Sequence, residues 1–136
     1  LTIRKFRTER LTFPDLVALG ALDDASVALL SLLVRIRCNI MVVGGTGSGK
    51  TTLLNSLNQL LPHEERVVTC EDAAELQFRQ KNIVRLETRT HNLEGAGEVT
   101  MRALVRNSLR MRPDRIIVGE VRGVRGFDCL MEERDR

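Results

Sequence analysis

Eight residues, Gly44-Gly45-Thr46-Gly47-Ser48-Gly49-Lys50-Thr51, satisfy the spacing G-x-x-x-x-G-K-[ST]. Glycines at these positions let the backbone turn its N–H groups around a phosphate, and a helix beginning just after them adds a partial positive charge. A lysine so placed reaches the β- and γ-phosphates of a nucleotide, and the Thr51 hydroxyl suits Mg²⁺. Such a loop also needs a carboxylate at the end of a neighbouring strand to hold the cation or orient water. Two places offer one: Glu120 after Ile116-Ile117-Val118, and Glu71-Asp72 after Val67-Val68.

Other charged residues are less specific. Arg85 and Arg89 share one face of an alternating segment with Glu87 between them, which fits a solvated edge equally well. Arg102, Arg106 and Arg110 recur every four residues, so on a helix they repel one another unless water, a phosphate or acids from a neighbouring subunit face them. His63 and His91 have no nucleophile or metal-ligand spacing around them and read as loop residues. Cys38, Cys70 and Cys129 form no C-x-x-C pair and read as small packing residues in a reducing compartment.

The elements around these residues follow from periodicity. Thr12-Phe13-Pro14-Asp15 opens a short helix that Gly20 stops. Asp23 or Asp24 caps a second helix running to Arg37, with Val27, Leu30 and Val34 beside Leu29, Leu33 and Ile36 at helical spacing. Asn39 to Val43 is an apolar run closed by glycines, which predicts a strand buried on both faces. A helix is expected from Lys50 to Leu61, and Val67 to Cys70 repeats the buried-strand pattern. Ile83 to Arg89 alternates as an amphipathic strand, with a hairpin to Leu76–Arg79 as one pairing it allows. From Glu98 to Met111 a helix turns Met101, Leu104, Val105, Ser108 and Leu109 inward, Pro113 stops it, and Arg115 to Glu120 forms the last strand. Strands alternating with helices predict an α/β fold with a mostly parallel sheet and flanking helices.

Composition narrows the class. With 136 residues, 43% hydrophobic and 29% charged, the chain can bury a core as one folded domain, and disorder is excluded as its main state. No apolar run approaches the ~18 residues of a membrane span, and Leu1-Thr2-Ile3-Arg4-Lys5 opens no signal peptide. Lys5, Lys50 and Lys81 are the only lysines among 21 basic residues, so the positive charge is nearly all guanidinium and favours oxyanion partners. Aromatics are 3% with no Trp or Tyr, which removes the stacking platforms of single-strand binders and argues against nucleic acid as a main partner.

The stretches NIMVVGGTGSGKTTLLNSLNQLLPHEERVVTCEDAAELQF and IVRLETRTHNLEGAGEVTMRALVRNSLRMRPDRIIVGEVRG closely resemble the type II/type IV secretion traffic ATPases, and within them the tight-adherence (Flp-type) pilus assembly ATPases. The resemblance runs from Leu1 to about Met131 and implies a P-loop NTPase with a partial RecA-like core. By motif, Gly44, Gly45, Thr46, Gly47, Ser48, Gly49, Lys50, Thr51 and Thr52 match the Walker A loop. Glu71 and Asp72 match the acidic box that positions the attacking water, and Gly119-Glu120 match the atypical Walker B segment, so the resemblance gives Thr51 and Glu120 the metal. Arg85 and Arg89 fall in the segment such enzymes use near the phosphates or the subunit interface, and Leu1 to Phe6 resembles the linker from the family's N-terminal domain.

Three segments follow from the resemblance: a linker with N-terminal helices over 1–38, an incomplete ATPase core over 39–131 and a divergent tail over 132–136. The family's N-terminal domain and histidine box have no counterpart, and Val124-Arg125-Gly126 depart from the family pattern, so the chain reads as truncated at both ends. The family implies ATP and Mg²⁺ as cofactors, a homo-hexamer, and a cytoplasmic location, peripheral to the inner membrane through a secretion or pilus platform protein. Two other readings stand beside this motor core. One is a non-catalytic fragment that binds nucleotide weakly or serves as an interaction module; the other is a P-loop protein acting on nucleic acid, favoured only by the arginine stripe.

Overall fold

A computed structural model describes residues 11–90 and 97–120. The expectations on Leu1 to Phe6, His91, Val124-Arg125-Gly126, Cys129 and the 132–136 tail lie outside these residues. The described residues form two compact units, one of residues 11–62 with 76–79, the other of 63–75 with 80–120.

The first unit is helical. Helix α1 (Phe13–Ala18) starts where Thr12 and Asp15 form a capping box: the Thr12 amide and hydroxyl both donate to Asp15 Oδ2, at 2.7 and 2.6 Å. The chain leaves α1 through Gly20, whose φ of 69° is left-handed. Helix α2 (Asp24–Arg35) is capped by Asp23, whose carboxylate accepts the Ser26 amide at 2.7 Å. It buries Val34, but Leu29, Leu32 and Ile36 are exposed, so its inward stripe is narrower than the periodicity predicts. Arg37, at φ 59°, ends the helix in a left-handed turn. Helix α3 (Lys50–Asn58) follows the glycine-rich loop, and Leu57 and Leu61 join Phe13, Leu16, Val34, Leu76 and Phe78 as the buried apolar residues here. Segment 76–79 is tied to α3 by the Gln77 amide, which donates to Asn55 Oδ1 at 2.9 Å.

Residues 39–43 correct the sequence reading. They form no strand, and Met41 is 57% and Val43 83% exposed. A strand needs a ladder to satisfy its N–H and C=O groups, and no described segment pairs with this run. Cys38 is exposed too, and so is not a packing residue.

The second unit is a parallel sheet with one helix. Strand β1 (Arg66–Glu71) lies between β2 (Asn82–Glu87) and β3 (Arg115–Val118) and runs parallel to both. Segment 83–87 therefore pairs with β1, not in a hairpin with 76–79, and Arg89 lies past the strand in an isolated antiparallel bridge with Val99. The reason lies in β1: Val67, Val68, Thr69 and Cys70 are fully buried, so both of its edges must be hydrogen-bonded. Helix α4 (Met101–Ser108) is capped by Thr100 and lays Leu104 and Val105 on Cys70, with Leu86, Met101, Ile116 and Val118 around them. Its last turn tightens into a 3₁₀ segment (Leu109–Met111), which leaves Leu109 exposed where helical spacing predicted it inward. Arg102, Arg106 and Arg110 all face outward.

At the start of the sheet Arg66 and Asp114 exchange hydrogen bonds, amide to Oδ2 and amide to carbonyl, both at 2.8 Å. Beside them the Arg115 guanidinium pairs with Glu65 at 2.8 Å, largely out of water. At the other end the Gly119 amide donates to Cys70 O at 2.9 Å, and a Cβ on Gly119 would come within 2.9 Å of Glu71 Cγ.

Two outcomes follow for stability. Gly119→Ala forces the buried Glu71 side chain to move and should cost about 1–3 kcal/mol in urea unfolding, against under ~0.5 kcal/mol for a change at an exposed position such as Lys81→Ala. The Ser26 hydrogen bonds hold the Asp23 carboxyl below its ordinary value. A depressed carboxyl stabilises the fold above its unfolded pKa and loses that contribution as pH falls through the folded one. Asp23→Ala should therefore lower Tm near neutral pH, and the gap from the parent should close below about pH 4.

Candidate functional site

The glycine-rich loop folds as its spacing predicts. Gly47 and Gly49 sit at φ 76° and 90°, conformations that a side chain would strain, and Gly49 is the N-cap of α3. Gly44 is constrained differently, because a Cβ there would lie 2.5 Å from Ser48 Oγ. The Ser48 amide donates to Gly45 O, and the Lys50 ammonium folds back to donate to Gly44 O at 2.8 Å and Gly45 O at 2.6 Å. An ammonium has three N–H donors, so one stays available to an incoming phosphate oxygen while two hold the loop closed on itself. Gly44 to Thr51 are largely exposed, and Thr51 and Thr52 sit in the first turn of α3, where helix amides lack internal partners. Backbone amides, a helix N-terminus and one ammonium form a set of donors suited to the phosphates of a nucleotide.

In the second unit parallel pairing gathers the other candidates at one edge. Register places Glu71 beside Glu87 and Cys70 beside Val118, so β1, β2 and β3 all end there. Glu71 is 2% exposed; its Oε2 accepts the Glu75 amide at 2.8 Å, and its stem lies over Gly119. Asp72 is exposed, and its Oδ1 accepts the Thr88 hydroxyl at 3.0 Å while the Thr88 amide donates to Glu71 O. Glu120 follows Gly119 and is exposed. Glu71, Asp72 and the Gly119-Glu120 pair thus lie at the same end of the sheet.

The arginines are placed separately. Arg85 pairs with Thr69 in the ladder and is exposed, whereas Arg89 donates through Nε to Gly97 O at 2.7 Å. They do not form one strand face. Sequence reasoning missed one supporting residue and the task of another. Thr88 looks like an ordinary member of an alternating strand, yet it holds Asp72; Gly119, matched with Glu120 by motif, makes room for Glu71. The phosphate-loop group belongs to the first unit and the carboxylate group to the second. Among the described residues no group of three or more His, Cys, Asp or Glu side chains could hold a metal ion.

The chain is similar to several known proteins. A putative conjugal transfer protein of Mycobacterium tuberculosis (strain H37Rv) is 49% identical over 130 residues, which cover 96% of this chain and 37% of the relative. Protein VirB11 of Agrobacterium fabrum is 45% identical over 105 residues, 77% of this chain and 30% of the relative. Among solved structures, the VirB11 ATPase from the Brucella suis type IV secretion system, in complex with sulphate, superposes with a TM-score of 0.63 at 31% identity, covering 88% of this chain and 40% of that one. The fold is accordingly a partial RecA-like P-loop ATPase core. The chain spans about a third of the relatives' length. The family profile of type II/IV secretion system proteins matches residues 1–132, and the chain belongs to that family.

Proposed function

We propose that this chain is the ATP-binding and hydrolysing core of a secretion or pilus-assembly motor, of the tight-adherence type by its sequence pattern. The observation that carries the reading is the phosphate loop: left-handed Gly47 and Gly49 lead into the N-terminus of α3, with the Lys50 ammonium poised over the loop carbonyls. The donors present fit a nucleoside triphosphate, with Gly44 to Lys50 on its phosphates and Thr51 and Glu120 as candidate ligands of the accompanying Mg²⁺. When bound, Mg²⁺ neutralises charge developing on the transferred phosphoryl group.

This chain's own residues have distinct tasks in the proposal. Lys50 and the α3 amides hold phosphate oxygens and stabilise negative charge. Asp72, kept in place by the Thr88 hydroxyl, orients a water through its exposed carboxylate, while Glu71 supports the same turn from a buried position. Arg85 and Arg89 supply positive charge near the phosphates or to a neighbouring subunit. The complete motor acts as a hexamer beside the inner membrane; among the described residues no helix is long and apolar enough to cross one.

Nucleotide at 100 times its Kd should stabilise the fold by about 2.7 kcal/mol and raise Tm visibly. Lys50→Ala should remove most of that rise, and equal shifts for the parent and the variant would refute the phosphate-loop assignment. In a protein of family length carrying this core, Glu120→Gln should leave Mg-ATP affinity within several-fold but cut phosphate release by on the order of 100-fold. Unchanged release would take Glu120 out of the mechanism.

A further inference from the structure

Opposite its buried Leu104 and Val105, helix α4 presents a basic row. Arg102, Arg106 and Arg110 recur at every fourth residue and are exposed, so successive members stand about 6 Å apart along the helix axis. A cavity of about 240 Å³ lies along the first half of the row, lined by Thr100, Arg102, Ala103, Arg106 and Asn107. Beyond the 3₁₀ segment Arg112 is exposed too, and it sits at φ 53° and ψ 55°, in the left-handed conformation. Glycine adopts that conformation freely, whereas a Cβ strains it. A fourth arginine thus stands where backbone geometry favours a glycine, and neither α4 nor the 3₁₀ segment contains an acid.

We propose that this face docks an acidic helix of a partner protein, with carboxylates at every fourth residue opposite the arginines. Charge complementarity carries the inference: a guanidinium takes a carboxylate through two parallel N–H···O bonds, and an acidic row on a helix has the same spacing of about 6 Å. One carboxylate enters the cavity between Arg102 and Arg106, where Asn107 and the Thr100 hydroxyl, which already accepts the Ala103 amide at 3.2 Å, can donate to it. No described helix of a second copy supplies such a row, since α1 and α2 hold one acid each, Asp15 and Asp24, and α3 and α4 none. A lipid surface fits less well, because Leu109 is the only exposed large apolar side chain among the described residues of this unit, too little to anchor among headgroups. A nucleic-acid strand would find no stacking platform, because those residues include no Phe, Tyr or Trp. The face lies wholly in the second unit and does not depend on the phosphate-loop reading.

The test is fluorescence anisotropy with a labelled, alanine-based helical peptide of about 20 residues carrying Glu at every fourth position, titrated with the 136-residue chain at low ionic strength. The parent should bind it several-fold more tightly than a peptide of equal composition whose acids are spread around the helix. Arg106→Glu combined with Arg110→Glu should weaken binding at least about tenfold, and Lys81→Glu, the same kind of charge change at an exposed position off α4, by less than about twofold. Arg112→Gly should weaken binding while holding or raising Tm, which separates a docking arginine from a structural one and does not depend on the double variant folding. Excess Mg-ATP should leave the peptide bound. Equal affinity for the two peptides, equal weakening by Lys81→Glu, unchanged binding in Arg112→Gly or displacement by Mg-ATP would each overturn the proposal. Binding of neither peptide would overturn it as well. Tighter binding to a single-stranded oligonucleotide or to phosphatidylglycerol vesicles would give the face to those partners instead, and self-association of the parent that the double variant lacks would give it to a second copy.

Discussion

Everything in the second unit depends on β1 being paired in parallel on both sides. A strand with four successive residues fully buried cannot leave N–H or C=O groups unsatisfied, so both edges must carry a ladder. Because both ladders are parallel, the chain has to return across the sheet between strands, and α4 makes one such return, burying Leu104 and Val105 against Cys70. The same geometry brings all three strands to their carboxyl ends together. Glu71-Asp72, Thr88 and Gly119-Glu120 are neighbours because their strands run the same way, although up to 49 positions of chain separate them (Glu71 to Glu120). Open parallel sheets gather ligand-facing residues at this edge for that reason.

Much of this was legible in the sequence wherever local signals and tertiary demands agree. The cap at Thr12 and Asp15, the cap at Asp23, the phosphate loop and the inward face of α4 through Ser108 all form where their residues predict. The failures share a physical cause. Asn39 to Val43 has the composition of a buried strand, but composition cannot supply the hydrogen-bonding neighbour that makes a strand, and none of the described segments does. Alternation over 83–89 identifies an extended segment correctly and leaves its partner open; burial of β1 decides that question in favour of a parallel neighbour. Leu29 and Ile36 have helical spacing, yet only Val34 on α2 finds enough apolar partners to be fully buried.

The tasks of the supporting residues were hidden for a different reason. Thr88 and Gly119 act through contacts to side chains 16 and 48 positions away, Asp72 and Glu71 respectively, and no local pattern encodes such a pair. Only the distance from the missing Cβ of Gly119 to Glu71 reveals that the absence of a side chain is itself a packing requirement.

The charges at the sheet edge constrain what it can meet. Asp72, Glu87 and Glu120 are exposed there, with Glu71 buried behind them, whereas the phosphate loop offers an ammonium, amides and a helix N-terminus. Within the first unit the loop's donors attract an anion; within the second the exposed carboxylates attract a cation or hold a water. The Glu75 amide takes up Glu71 Oε2, so Glu71 is held inside the turn while Asp72, Glu87 and Glu120 stand at the surface. That the acids collect at one edge at all follows from the common direction of three strands.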